Sequence, residues 1–207
     1  MTGTDFVPMA YANKVVNGKI TWKSPSNIAL VKYWGKKENQ IPANPSISFT
    51  LDTCATTTTM TYSKLEEDRN AFSFDLLFEG KPKESFRPKI ETFFKRIEQY
   101  LPFLKSYHFT IETSNSFPHS SGIASSASGM SALSLCLMSL EKELYPTMSE
   151  EYFNRKASFL ARLGSGSACR SIEGDLMEWG FHRETEGSSN EYAIKYPYAV
   201  HEVFKNY

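Results

Sequence analysis

The apolar positions of this chain sort it into strands, then helices, then strands again. Tyr11–Val16 and Lys19–Lys23 flank Asn17-Gly18, a dipeptide favoured in two-residue hairpin turns, so an opening strand pair is expected after a loose terminus over Met1–Met9. Ser26–Trp34 alternates imperfectly and reads as a strand ending at Gly35. Asn44–Leu51 reads as a loop entering a strand, and the threonine run in Ala55–Tyr62 suits another. Ser63–Ala71 is polar and reads as a solvent loop. Phe72–Phe78, with the continuation after Glu79-Gly80-Lys81, reads as a hairpin.

Helical spacing takes over at Arg87–Leu101, where Ile90, Phe93, Phe94, Ile97 and Leu101 share a face, Pro88 sits early and Pro102 closes the run. That aromatic stripe reads as core. Tyr107–Thr113 alternates as a strand and leads through Ser116–Ser121 into a helix over Gly122–Leu140. Thr147-Met148-Ser149-Glu150 offers an N-cap for Glu151–Leu163, whose Phe153, Ala157, Leu160 and Ala161 face a core. Gly174–Phe181 and Glu191–Tyr196 read as strands separated by a polar tip at Glu184–Asn190. The order fits an α+β layer of helices packed on one mixed sheet. Tyr198–Tyr207 begins no element of its own, and there is no internal repeat or low-complexity linker.

The 207 residues give room for a real core, as one large domain or two small ones. A formal net charge of zero with dispersed basic residues argues against nucleic acid as the main partner. No run has the length of a membrane span, and the N-terminus lacks the layout of a signal peptide, so a cytoplasmic protein is expected. Cys54, Cys136 and Cys169 are odd in number, far apart and without metal-ligand spacing, which reads as reduced thiols. The histidines form no pattern that would hold zinc.

Two small-residue loops carry the candidate chemistry. Phe117-Pro118-His119-Ser120-Ser121-Gly122-Ile123-Ala124-Ser125-Ser126-Ala127-Ser128-Gly129 runs straight into an apolar helix. Unpaired backbone N–H groups and the positive end of the dipole at such a helix start suit an anion, phosphate above all. There is no G-x-x-x-x-G-K-[ST], so this is not a P-loop. The second loop is Gly164-Ser165-Gly166-Ser167-Ala168-Cys169-Arg170-Ser171. Two such loops in one domain point to one large polyanion or to two ligands that meet.

Pro118-x-x-x-Gly122-Ile123-x-Ser125-Ser126-Ala127 resembles the phosphate-loop motif of the GHMP kinase superfamily. Asn27-Ile28-Ala29-Leu30-Val31-Lys32-Tyr33-Trp34-Gly35-Lys36, the Asn44–Leu51 run and Gly164–Ser171 are similar to the diphosphomevalonate decarboxylases within it. The resemblance covers about Ser24 to Gly180. It implies the GHMP-kinase N-terminal fold (ribosomal protein S5 domain 2-like), a mixed sheet covered by helices, with the second GHMP domain absent from this chain. Residues 1–198 are then an ATP- and substrate-binding domain, and residues 199–207 the start of a linker.

The implied reaction uses ATP and Mg²⁺ to phosphorylate the 3-hydroxyl of mevalonate 5-diphosphate, with loss of phosphate and carbon dioxide to give isopentenyl diphosphate. The resemblance assigns Ser120, Ser121, Gly122, Ile123, Ala124, Ser125 and Ser126 to the ATP phosphates, with either Ser125 or Ser126 reaching a phosphate or the metal. It assigns Tyr33 and Lys36 to the substrate diphosphate, Ser165, Ser167 and Arg170 to the mevalonate moiety, and Asn27 to support of the site. Arg170 would pair the carboxylate in a fork that lysine cannot reproduce. The family's decisive aspartate has no counterpart here; Asp52 and Asp175 sit in no matching motif, and that aspartate is expected beyond residue 207. The longer protein is expected to form a homodimer. Another small-molecule kinase of the superfamily, and a non-catalytic truncated fragment, are the alternative readings.

Overall fold

The computed structural model describes residues 1–8, 10–67, 70–118 and 122–202. Its centre is one long antiparallel pair, β1 (Asn17–Val31) with β2 (Ser46–Lys64), in register from Asn17↔Ser63 to Val31↔Ile47. The register slips between Pro25 and Asn27, where proline has no N–H to give to the ladder, and again between Ala29 and Val31. On its other side β2 changes partner. Its C-terminal part, Thr56–Lys64, pairs with β5 (Tyr107–Asn115), and its N-terminal part, Ser46–Phe49, pairs with β6 (Leu176–Trp179). β3 (Ser73–Phe78) runs parallel to β5, β4 (Lys81–Pro82) pairs with β3, and β7 (Ala193–Lys195) pairs with β6. The seven strands form one mixed sheet in the order β4-β3-β5-β2-β6-β7, with β1 beside β2.

Three helices cover it: α1 (Arg87–Ile97), α2 (Ser125–Leu144) and α3 (Glu150–Gly164). α2 packs on β1, β2 and α3, and α1 packs on α3. α2 is built from Ala, Ser, Leu, Met and Cys, and is buried on almost every side, as a helix between sheet and second helix must be. The α1 stripe of Ile90, Phe93, Phe94 and Ile97 meets Phe74 and Phe109 of the sheet, with Leu101 buried just past the helix. Ser149 caps α3, its Oγ accepting from the Tyr152 N–H at 3.2 Å. α2 and α3 are also joined by a buried ion pair, Lys156 Nζ to Glu141 Oε1 at 2.5 Å, with the Tyr11 hydroxyl donating to the same oxygen. Burial raises the Glu141 pKa and lowers that of Lys156, and each group opposes the shift of the other.

Four expectations are corrected. Asn17-Gly18 does not turn the chain; it lies inside β1, opposite Ser63 and Tyr62. Glycine is there for space, because a Cβ on Gly18 would stand 2.3 Å from the Tyr62 hydroxyl. Tyr11–Val16 forms no strand, and the segments read as four strands are the two continuous ones, β1 and β2. The N-terminus is not loose over its first residues: Gly3–Phe6 forms a 3₁₀ turn, and Phe6 is fully buried against Phe159, ring centroids 4.8 Å apart, with Tyr152 and Tyr192 around it. Phe6→Ala is expected to lower the unfolding free energy by about 3–5 kcal/mol, measured by urea denaturation. A cost under 1 kcal/mol would show the turn to be a loosely held end.

Candidate functional site

The site forms where β2 changes partner, from β1, β2, the loop after Val31, the start of α2 and the 3₁₀ turn Gly166–Ser171 that follows α3. Inward positions of β2 here are Ser46, Ser48 and Thr50, all buried, where an ordinary strand would present apolar side chains. Ser46 meets a buried arginine.

Arg170 is 2% exposed. Its Nη1 donates to Ser46 Oγ at 2.6 Å, and its Nε and Nη2 donate to Asn27 Oδ1 at 3.4 and 3.3 Å. The guanidinium lies against the rings of Tyr33, at 5.6 Å, and Trp179, at 5.7 Å. Among the described residues no carboxylate pairs with it. Burial lowers its pKa from the ordinary arginine value, opposed by Cys169 and Tyr33. Desolvating a cation without a counter-charge is costly. A group held this way is poised to take an anion.

Asn27 does the holding. While Oδ1 accepts from Arg170, Nδ2 donates to the Ser167 carbonyl at 3.0 Å and to Ser171 Oγ at 2.7 Å. Ser171 in turn offers its carbonyl to Ser24 and Ser131, which ties the turn to β1 and α2. Lys36 reaches the same region: its Nζ lies 5.7 Å from the Tyr33 ring centroid and donates to Gln40 Oε1. The loop that carries it is pinned from beneath. Arg162, 1% exposed, donates to the Asn39 carbonyl and pairs with Glu191 at 2.6 Å. Asn39 and Gln40 are both held at positive φ, 53° and 63°.

At the first loop, Gly122 (φ 82°) and Ala124 (φ 37°) turn the chain into α2. A left-handed alanine is strained, and the contacts around it must hold it there. Ser26 Oγ donates to the Ile123 carbonyl at 2.7 Å, and Ser128 Oγ hydrogen-bonds Thr56 Oγ1 at 2.6 Å. The first turn of the helix leaves backbone N–H groups outside its ladder. Ser126 and Ser165 hydroxyls lie 3.5 Å apart, so the two small-residue loops touch. Beside Ser125 and Ser126 opens a cavity of about 150 Å³, walled by Leu76, Phe78, Phe86, Ile90, Ile111 and Met130, with Lys89 and Asn115 at its polar edge.

The structure thus brings Asn27, Tyr33, Lys36 and Arg170 together, and sets Ser165, Gly122, Ile123, Ala124, Ser125 and Ser126 beside them. Ser167 joins through its backbone carbonyl. Ser120 and Ser121, assigned above to the phosphates, lie outside the described residues, as does His119. Sequence reasoning gave no role to Ser46, Trp179 or Arg162. The alternation of Ser46, Ser48 and Thr50 was a usable signal for the first; the other two are defined only by the fold.

Fold and site together define an α+β domain in which two small-residue loops touch, one of them built on a buried arginine. Residues 24–191 match the model of the diphosphomevalonate decarboxylase-like N-terminal domain, and the chain belongs to that family. The diphosphomevalonate decarboxylase of Bos taurus is 33% identical over 188 residues, which cover 83% of this chain and 43% of the relative. A solved mevalonate diphosphate decarboxylase from Enterococcus faecalis, described with a mevalonate diphosphate-mediated mechanism of ATP binding, is 34% identical with a TM-score of 0.65. The alignment covers 88% of this chain and 52% of that one. Another solved structure, described as MDDEF in complex with MVAPP, AMPPCP and magnesium, is 32% identical, TM-score 0.65, over 88% of this chain and 51% of that one. The chain spans about half the length of the relatives it matches.

Asn27 is 5% exposed and bonds three partners, two of them buried. Asn27→Ala is expected to cost about 1–3 kcal/mol of stability, read by urea denaturation, because Arg170, Ser167 and Ser171 each lose a bond. An unchanged midpoint would mean that the arginine is held without it.

Proposed function

We propose that this chain is the nucleotide- and substrate-binding part of a diphosphomevalonate decarboxylase, acting on mevalonate 5-diphosphate with ATP and Mg²⁺ in the cytoplasm. The observation that carries the reading is the buried Arg170 guanidinium, which has no carboxylate partner among the described residues and shares its pocket with Tyr33. A substrate with a carboxylate at one end and a diphosphate at the other supplies both missing charges. Arg170 takes the carboxylate through its fork, and the Tyr33 hydroxyl and Lys36 ammonium take the diphosphate.

The nucleotide fits the second loop by the same reasoning. The free amides at the start of α2, with the Ser125 and Ser126 hydroxyls, suit its phosphates, and the apolar cavity beside them suits a base. Among the described residues no group of three or more His, Cys, Asp or Glu side chains could hold a metal. Magnesium would therefore rest mainly on phosphate oxygens, with Ser125 or Ser126 adding a hydroxyl. Its chemistry is neutralisation of phosphate charge during transfer to the 3-hydroxyl.

The contact between Ser126 and Ser165 supports a geometry in which the nucleotide and the substrate alcohol meet. Residues 1–198 are proposed as one binding domain, within a longer homodimeric enzyme that carries the catalytic aspartate outside these 207 residues.

Two measurements test this. Calorimetric titration with mevalonate 5-diphosphate is expected to show binding, and Arg170→Lys to weaken it about tenfold or more, although the charge is kept. Equal affinity would remove Arg170 from the carboxylate role. With Mg-ATP and the same substrate saturating, the 207-residue chain alone is expected to release neither ADP nor carbon dioxide. Turnover would place the decisive carboxylate within this sequence.

A further inference from the structure

Among the described residues Trp179 is the largest fully buried side chain, and it lies in the Arg170 pocket. It stands in the short strand β6, paired to Ser46 of β2 on one side and to Ala193 of β7 on the other. Its indole Nε1 donates to the Asn190 carbonyl at 3.1 Å, which fixes the ring in its plane. One side of the ring faces the Arg170 guanidinium. Tyr33 packs against it edge-on, centroids 5.1 Å apart at 73°. The 3₁₀ turn that carries Arg170 also rests on it, since a Cβ on Gly166 would come within 3.1 Å of the indole Cη2.

The backbone of the same residue completes the arrangement. Ser46 Oγ donates its proton to the Trp179 carbonyl at 3.2 Å. That direction leaves the Ser46 oxygen free only to accept, and Arg170 Nη1 donates to it at 2.6 Å. Of the three hydrogen bonds that hold the guanidinium this is the short one; the two to Asn27 are 3.3 and 3.4 Å. Ring and carbonyl of one tryptophan therefore set the tilt and the position of the cation.

We propose that Trp179 is the positioning residue for Arg170, holding the guanidinium by a ring face and, through Ser46, by a polarised hydrogen bond, so that its fork is aimed at the substrate carboxylate. The inference rests on the reading of Arg170 as the carboxylate-binding group.

The test compares two ligands that differ in the carboxylate. Wild type, Trp179→Met and Trp179→Phe are titrated with mevalonate 5-diphosphate and with isopentenyl diphosphate, which has no carboxylate. The methionine variant is expected to bind mevalonate 5-diphosphate about tenfold more weakly and isopentenyl diphosphate within about twofold of wild type. The phenylalanine variant, which keeps a ring against the guanidinium, is expected to recover most of the loss. Equal weakening toward both ligands would indicate general damage to the fold and overturn the proposal, as would an unchanged methionine variant. Should that variant not fold, Ser46→Ala removes one hydroxyl and breaks the link to the Trp179 carbonyl, and the same contrast between ligands is expected. Failure of the wild-type chain to bind mevalonate 5-diphosphate would overturn the proposed function and this inference with it. Binding by wild type with no ligand contrast in the variants overturns this inference alone.

Discussion

The structure depends on one strand having to satisfy two sets of neighbours. β2 is paired with β1 along nearly its whole length, and on its other side with β6 at one end and β5 at the other. Between those partners its backbone is met by loops instead: the Thr50 N–H donates to the Asp175 carbonyl, and Ala55 exchanges bonds with Ser116. Backbone groups away from water must find partners, so these loops are fixed where they are by the change of strand. Both small-residue loops enter at this interruption. Ser46 on one side of it meets Arg170, and Thr56 on the other meets Ser128 at the start of α2.

A second constraint is electrostatic. Among the described residues the pocket keeps a cation out of water without an acid paired to it, and uses neutral acceptors and aromatic faces to make that tolerable. Elsewhere the same protein does the opposite. Lys156 is equally buried but sits against Glu141, and Arg162 sits against Glu191. In both pairs the buried cation has a carboxylate against it. Arg170, unpaired among the described residues, is the one proposed to face a ligand, and this contrast within one small protein separates scaffold from candidate site more sharply than burial alone.

The helices were legible because their signals are local. The stripe from Ile90 to Ile97, the prolines that bracket it and the Ser149 cap act within a few residues of one another. β3, β5, β6 and β7 were legible from alternation and their polar flanks. Asn17-Gly18 misled because a short-range turn preference was overruled by the long-range pairing of Gly18 with Tyr62, which no local window contains. Phe6 was missed for a similar reason: its partners Phe159 and Tyr192 are more than a hundred residues away. For the site, the small-residue loops and Arg170 could be read as anion-binding because composition alone suggests it. Their convergence with Tyr33, Lys36 and Asn27 came from a family resemblance. Trp179 and Arg162 carry no sequence mark of their role, since a buried tryptophan and a helical arginine look the same whatever they touch.

The separation of Ser46 from Trp179 along the chain, 133 residues, bears on how the molecule assembles. β1 and β2 can close from their near ends, where Val31 faces Ile47 and Lys36 bridges to Pro42, and zip outward with little loss of chain entropy at each step. β6 has no such short route. It can add to β2 only after α2 and α3 have brought the chain back across the sheet, and non-local pairings of that kind are slow to form. Of the strand pairings, that of β2 with β6 closes the longest stretch of chain, and the arginine pocket takes its shape only when that stretch is closed.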